Sequence, residues 1–95
     1  MPTLHIEHAI VDLEIWRTAF DRFSDVRKQA GVRRHRIRRP LNDANYVLID
    51  LEFDTADQAE NFCSFLEKKV WCSSDASPAL VGTPQTRILE DVAVT

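Results

Sequence analysis

His5, His8 and His35 are the side chains of this 95-residue sequence whose ordinary titration falls near neutral pH, and carboxylates and arginines surround them along the chain. Proton transfer and anion binding are therefore the chemistries to weigh first. His8 alternates with Leu4, Ile6 and Ile10, which predicts at least partial burial and makes it a candidate general base or substrate-orienting group. Its plainer role is a hydrogen-bonded structural histidine. His5 shares the opposite row with Glu7 and reads as structural or surface. His35 depends on the pairing between Arg33-Arg34-His35-Arg36-Ile37-Arg38-Arg39 and the strand that follows it. If Arg39 pairs with Tyr46, His35 stands opposite Asp50, and the carboxylate holds one tautomer and raises its basicity. A one-residue slip puts Arg36 opposite Asp50 and Arg34 near Glu52, as cross-strand ion pairs. The sequence leaves both registers open, and Asp50 is the polar anchor in either.

The candidate catalytic residues are thus His8, His35, Tyr46 and Asp50, a set suited to removing a proton from an acidic substrate and holding the resulting enolate or phenolate. Arg36 or Arg87 would stabilise the anion. Tyr46 and Trp71, which the core stripes leave unexplained, would flank a flat organic ligand, and Leu48 shares the strand face of Tyr46 and Asp50. Packing at a subunit rim is the competing role for the two aromatics. The arginine run has its own plain explanation, an edge strand whose charges discourage aggregation or pair with carboxylates.

Other chemistries find little support. Local metal-ligand spacing is absent, so no metal is expected, although a site assembled across strands from His8, His35 and Asp50 stays open. Gly31 and Gly82 are the only glycines, too few for a phosphate loop or dinucleotide fingerprint, so no nucleotide cofactor is expected. No nucleophile-elbow pattern supports a Ser-His-Asp triad. Cys63 and Cys72 are too far apart for a Cys-x-x-Cys motif and too few for a disulfide framework. Net charge is -3 and the pI about 5.5, and alternation splits the arginines between two faces without an aromatic ladder; nucleic acid is not an expected partner. No apolar run approaches the roughly 20 residues that span a bilayer, and the first residues lack a signal-peptide pattern, so the expected setting is cytoplasmic, away from membranes.

These residues must be positioned by a chain that reads as one domain over 1–95, in the order strand, helix, strand, strand, helix, strand. Leu4–Val11 is the first strand; Asp12 caps a helix running from Leu13 towards Ala30, with Trp16, Phe20, Phe23, Val26 or Arg27, and Ala30 as its buried stripe. Gly31 ends it. Val32–Arg39 and Tyr46–Phe53 form a hairpin, the latter with Val47, Ile49, Leu51 and Phe53 on a core face and Tyr46, Leu48, Asp50 and Glu52 on the other. Thr55 and Gln58 make a capping box for a second helix whose apolar face includes Ala59, Phe62, Cys63, Leu66 and Val70. A short helical turn through Ala79–Val81 and a last strand over Gln85–Val92 complete the order.

A βαββαβ order normally gives a four-stranded antiparallel sheet with both helices on one face, an α+β ferredoxin-like subunit. The uncovered face is expected to carry Leu48 together with Leu4, Ile6, Ile10, Ile88 and Val92. So large an apolar patch calls for cover, and a homodimer through the sheet faces provides it.

Glu7-His8-Ala9-Ile10-Val11-Asp12-Leu13-Glu14-Ile15-Trp16, Ala30-Gly31-Val32, Leu51-Glu52-Phe53-Asp54-Thr55, and Gly82-Thr83-Pro84 before Arg87-Ile88-Leu89-Glu90 resemble, in the same order, the dimeric α+β barrel superfamily. The resemblance is in particular to small bacterial proteins grouped with antibiotic-biosynthesis monooxygenases. The resemblance implies two ferredoxin-like subunits with facing sheets and a ligand space between sheet and helices. It also implies cofactor-independent oxygenase, cyclase or isomerase chemistry on a hydrophobic or aromatic compound, with a non-catalytic ligand-binding or dimerisation module as the alternative. Haem degradation fits poorly: Trp71 matches that group's tryptophan, but His8 replaces its early asparagine and no histidine follows Leu66.

Overall fold

The computed structural model describes residues 1–94. Strand β1 (Thr3–Ile10) leads into helices α1 (Leu13–Arg22) and α2 (Ser24–Ala30). Strands β2 (Arg34–Arg38) and β3 (Tyr46–Glu52) follow, then helix α3 (Ala56–Phe65), a π-helical turn at Leu66–Val70, and β4 (Leu80–Leu89). The sheet order is β2-β3-β1-β4, and every neighbouring pair is antiparallel. This is the expected α+β arrangement, with β1 in the interior of the sheet.

The strand faces follow the pleat. Val47, Ile49, Leu51 and Phe53 are buried under the helices, as their alternation predicts, and they pack with Trp16, Ala59 and Phe62. Leu4, Ile6 and Ile10 join the same core, and this corrects the expectation that they lie on the uncovered face. Ile88 pairs with Leu4 and so shares the helix-side face, while Val92 lies beyond the end of β4. The physical reason is cooperative: apolar rows in the two central strands, β1 and β3, bury far more surface under one helical layer than a single row would. Full burial of a single leucine or phenylalanine contributes about 1.5–3 kcal/mol.

Caps fix the helices where the sequence placed them. Asp12 Oδ2 accepts the Ile15 amide at 3.1 Å. Thr55 and Gln58 complete a reciprocal capping box, and Gln58 Oε1 also accepts the Asp54 amide. Gly31 adopts φ 99°, a left-handed conformation that strains any other residue, and a Cβ there would stand 2.7 Å from the Gln58 side-chain amide nitrogen and displace that side chain.

Three local expectations change. The helix expected to run from Leu13 to Ala30 breaks at Phe23, where the Arg27 guanidinium donates to the Phe20 carbonyl that a continuous helix would have given to Ser24. The helical turn expected at Ala79–Val81 is instead the start of β4, so Gly82-Thr83-Pro84 interrupts a strand instead of preceding one. The cause is a bulge: Glu7 pairs with Gln85 and Ala9 with Val81, leaving Gly82, Thr83 and Pro84 opposite the single residue His8. Gly82 at φ 72° and a proline without an amide hydrogen are compatible with that distortion on an edge strand.

Candidate functional site

The bulge sits beside the residue with the most chemical potential on the helix side. His8 is 5% exposed, and its Nδ1–H donates to the Ala9 carbonyl at 2.9 Å. That bond fixes the tautomer in which Nε2 carries the lone pair. No buried side-chain nitrogen or oxygen among the described residues is left without a partner, so Nε2, which has none, must open onto space. The space is a pocket between sheet and helices. It encloses about 80 Å³, or about 630 Å³ when its solvent-open mouth is counted, and its lining includes His8, Trp16, Phe20, Arg27, Phe62 and Trp71. Burial pulls the His8 pKa below the usual imidazole value, against the smaller opposing effect of the Ala9 bond. His8 is accordingly neutral near pH 7, with a basic nitrogen presented to an apolar chamber.

Arg27 is the second polar group of this chamber and is 7% exposed. Its guanidinium carbon lies 3.6 Å from the Phe20 ring centroid, a cation–π arrangement, and Phe20 in turn stacks on Trp16 at 4.9 Å. Burial lowers its pKa, partly opposed by the charge of Asp21. One hint of this residue is visible in the sequence, its alternative membership of the buried helical stripe; its role depends on the helix break, which no periodicity reveals.

The open face of the sheet carries a different constellation, assembled from β1, β3 and β2. His5 Nδ1 lies 2.6 Å from Asp50 Oδ1 and its Nε2 lies 2.9 Å from Glu7 Oε2. Ionised carboxylates only accept, so both ring nitrogens donate and the ring is an imidazolium. Partial burial opposes that charge, but the hydrogen bonds and charges of Asp50 and Glu7 outweigh it, and the His5 pKa is raised. Tyr46 Oη donates to Glu7 Oε1 at 2.8 Å, and Arg38 Nη2 donates to Asp50 Oδ2 at 2.6 Å. The chain Tyr46–Glu7–His5–Asp50–Arg38 therefore crosses three strands. The bonds from His5 and Tyr46 hold Glu7 below the usual carboxylate range, and the bond to Glu7 raises the Tyr46 phenol.

The candidate residues are thus divided between two faces. Tyr46 and Asp50 share the open face and are linked through Glu7 and His5, with Leu48 between them along β3 and Arg87 on β4 paired with His5. His8 and Trp71 line the helix-side pocket. His35 also faces the helix side, but it is exposed at the sheet edge, opposite Leu51 and edge-on to Phe20 at 5.5 Å. The hairpin adopts the register that pairs Arg36 with Asp50 and Arg34 with Glu52. Arg34 makes its ion pair with Glu52 at 3.2 Å, but Arg38 and not Arg36 holds Asp50. His8 and His35 lie across the sheet from Asp50, so these three cannot converge on a metal, and no cluster of three His, Cys, Asp or Glu suited to one occurs among the described residues. His5 was the omission. Its i, i+2 spacing from Glu7 was visible, whereas its pairing with Asp50 came only with the β1–β3 register.

No protein-family model and no curated protein matches the chain. Solved structures do. SnoaB, a cofactor-independent oxygenase from Streptomyces nogalater, superposes with a TM-score of 0.71 at 15% identity, over 98% of this chain and 94% of that one. Two dimeric ferredoxin-like proteins from an uncultured marine organism each give a TM-score of 0.60 at 12% identity, covering 100% and 97% of this chain and 98% and 97% of theirs. The fold is ferredoxin-like α+β. At these identities the likeness concerns the fold and leaves activity to the site. Among the described residues no helix is long and apolar enough to cross a membrane.

Proposed function

We propose that this ferredoxin-like chain takes a small hydrophobic or aromatic compound into its helix–sheet pocket and removes a proton from it with His8, as part of cofactor-independent oxygenase-, cyclase- or isomerase-like chemistry. The observation carrying this reading is the buried, neutral His8, held in one tautomer by Ala9 with Nε2 open to an apolar chamber. A base poised in this way removes a proton from a weakly acidic carbon or hydroxyl acid, and the aromatic walls exclude water from the anion left behind. The shared fold with a cofactor-independent oxygenase supports the reaction class by analogy. Purified protein would be screened against aromatic polyketide-like and lactone substrates. A positioned base contributes about 10²–10⁴-fold, so His8→Ala is expected to lose at least about a hundredfold in kcat/KM while Asp50→Ala retains most of it. Turnover unaffected by His8→Ala would rule out the assignment.

A second reading, non-catalytic ligand binding, is favoured by the absence of any carboxylate from the pocket lining and by its small interior. Saturable binding without turnover of any compound in the screen would select it. Under either reading the protein is proposed to be a homodimer through its open sheet face, as the dimeric neighbours suggest. The polar chain from Tyr46 to Arg38 would then lie at the interface. Native mass spectrometry at micromolar concentration is expected to return a dimer; a monomer would remove the face-to-face arrangement.

A further inference from the structure

We propose that Arg27 makes the helix–sheet pocket selective for an aromatic ligand bearing an oxygen anion, a carboxylate or phenolate on the ring, held by the guanidinium while the ring lies among Trp16, Phe20 and Trp71. This rests on the reading of the pocket as the ligand site and adds the charge of what enters it.

A guanidinium removed from water needs compensation, which in most proteins comes from a carboxylate. None of the ion pairs among the described residues includes Arg27, and Asp21, an exposed residue, acts on it only through space. The Phe20 carbonyl takes a hydrogen from Nη1 and the Phe20 ring covers one face. A guanidinium has five donors, so donors remain for a ligand, and their fork matches the two oxygens of a carboxylate. The chamber's charge points the same way. Its lining contains no Asp or Glu, and His8 is neutral, which leaves Arg27 as the charged group facing the space in a chain whose net charge is -3. The stack of Arg27 on Phe20 and of Phe20 on Trp16 presents flat surfaces beside those donors. A planar ring carrying its anion at the edge satisfies both at once.

A purely structural Arg27, occupied only in closing the Phe20 carbonyl at the helix break, would affect stability without sorting ligands by charge. The test therefore reads a ratio. Both tryptophans line the pocket, so their fluorescence reports occupancy by two matched pairs of probes: benzoate against benzamide, and para-nitrophenolate against para-nitroanisole. In the wild-type protein each anion is expected to bind about tenfold or more tightly than its neutral counterpart, as for a charge-assisted hydrogen bond in a partly desolvated site. A preference confined to the first pair assigns the site to carboxylates, and one confined to the second assigns it to phenolates. Arg27→Met, which keeps the stem and removes the charge, is expected to bring the ratio to about one, and Arg27→Lys to retain part of it. Wild-type protein that binds anion and neutral probe equally would overturn the charge selectivity and leave the pocket reading standing. If none of the four probes perturbs either tryptophan, both fall together. The wild-type ratio decides the matter even if Arg27→Met does not fold.

Discussion

His5 and His8 stand three residues apart on β1, yet the sheet separates them into opposite chemical settings. His8 faces the helices, where burial keeps the imidazole neutral and one backbone carbonyl sets its tautomer. His5 faces the open side, where two carboxylates make it a cation. The lesson is that residue type decides little here; the environment on each side of one pleated strand assigns the proton. The helix side holds a neutral imidazole beside an apolar pocket, while the open side holds a charged network linked by hydrogen bonds.

The two faces of the sheet should differ most in packing. Leu51, 2% exposed on the helix side of β3, is expected to cost about 2–5 kcal/mol of unfolding free energy when changed to alanine. Leu48→Ala on the other face should cost about 1 kcal/mol or less in the isolated subunit. Urea denaturation at several protein concentrations checks both. Loss in Leu48→Ala that matched Leu51→Ala at every concentration would show that the open face is as much a core as the helix side.

Asp50→Ala comes next in size. It removes the acceptor shared by His5 and Arg38, and an expected loss of about 1–3 kcal/mol should be accompanied by a fall in the His5 pKa measured by NMR titration. An unchanged His5 titration would disconnect the network at its centre.

The two histidines should also tilt the pH dependence of stability in opposite directions. The raised pKa of His5 means that its contribution is complete below about pH 6.5 and disappears as pH rises through the folded-state value. The lowered pKa of His8 means that stability is intact above about pH 6.5 and falls as acid drives the unfolded chain to bind a proton that the folded site resists. Comparing wild type with His5→Gln and His8→Gln across this range should flatten one limb in each variant. Identical effects of the two changes would erase the distinction between the faces.

The smallest effect belongs to the exposed pair of Arg34 and Glu52. Arg34→Ala should alter stability by about 0.5 kcal/mol or less, and added salt should remove the difference.

The first three strands, both expected helix caps and the core row of β3 were legible because each is written locally: alternation at period two, Asp12 before a helical stripe, Thr55 with Gln58; the start of β4 was not, because its bulge breaks the alternation. The order of elements then gave the architecture. What escaped was the relative placement of elements. Alternation in β1 groups Leu4, Ile6, His8 and Ile10 correctly, but cannot say which side the helices will cover; only pairing with β3 sets that phase. The hairpin register was equally nonlocal, and it determined that arginines rather than His35 would share a face with Asp50. Arg27 was hardest to see, because its role depends on a helix break that its own side chain helps to create.

The bulge opposite His8 also governs how copies of the molecule can join. Gly82, Thr83 and Pro84 divide β4 into two short runs, so its outer rim offers no unbroken row of backbone donors and acceptors. A foreign strand in phase with Leu80–Val81 would be out of phase with Gln85–Leu89. The rim at β2 carries Arg34, Arg36 and Arg38, two of them held by Glu52 and Asp50, and such long charged side chains along an edge discourage strand addition. The molecule is in effect a tile whose two rims are poorly suited to ribbon-like polymerisation.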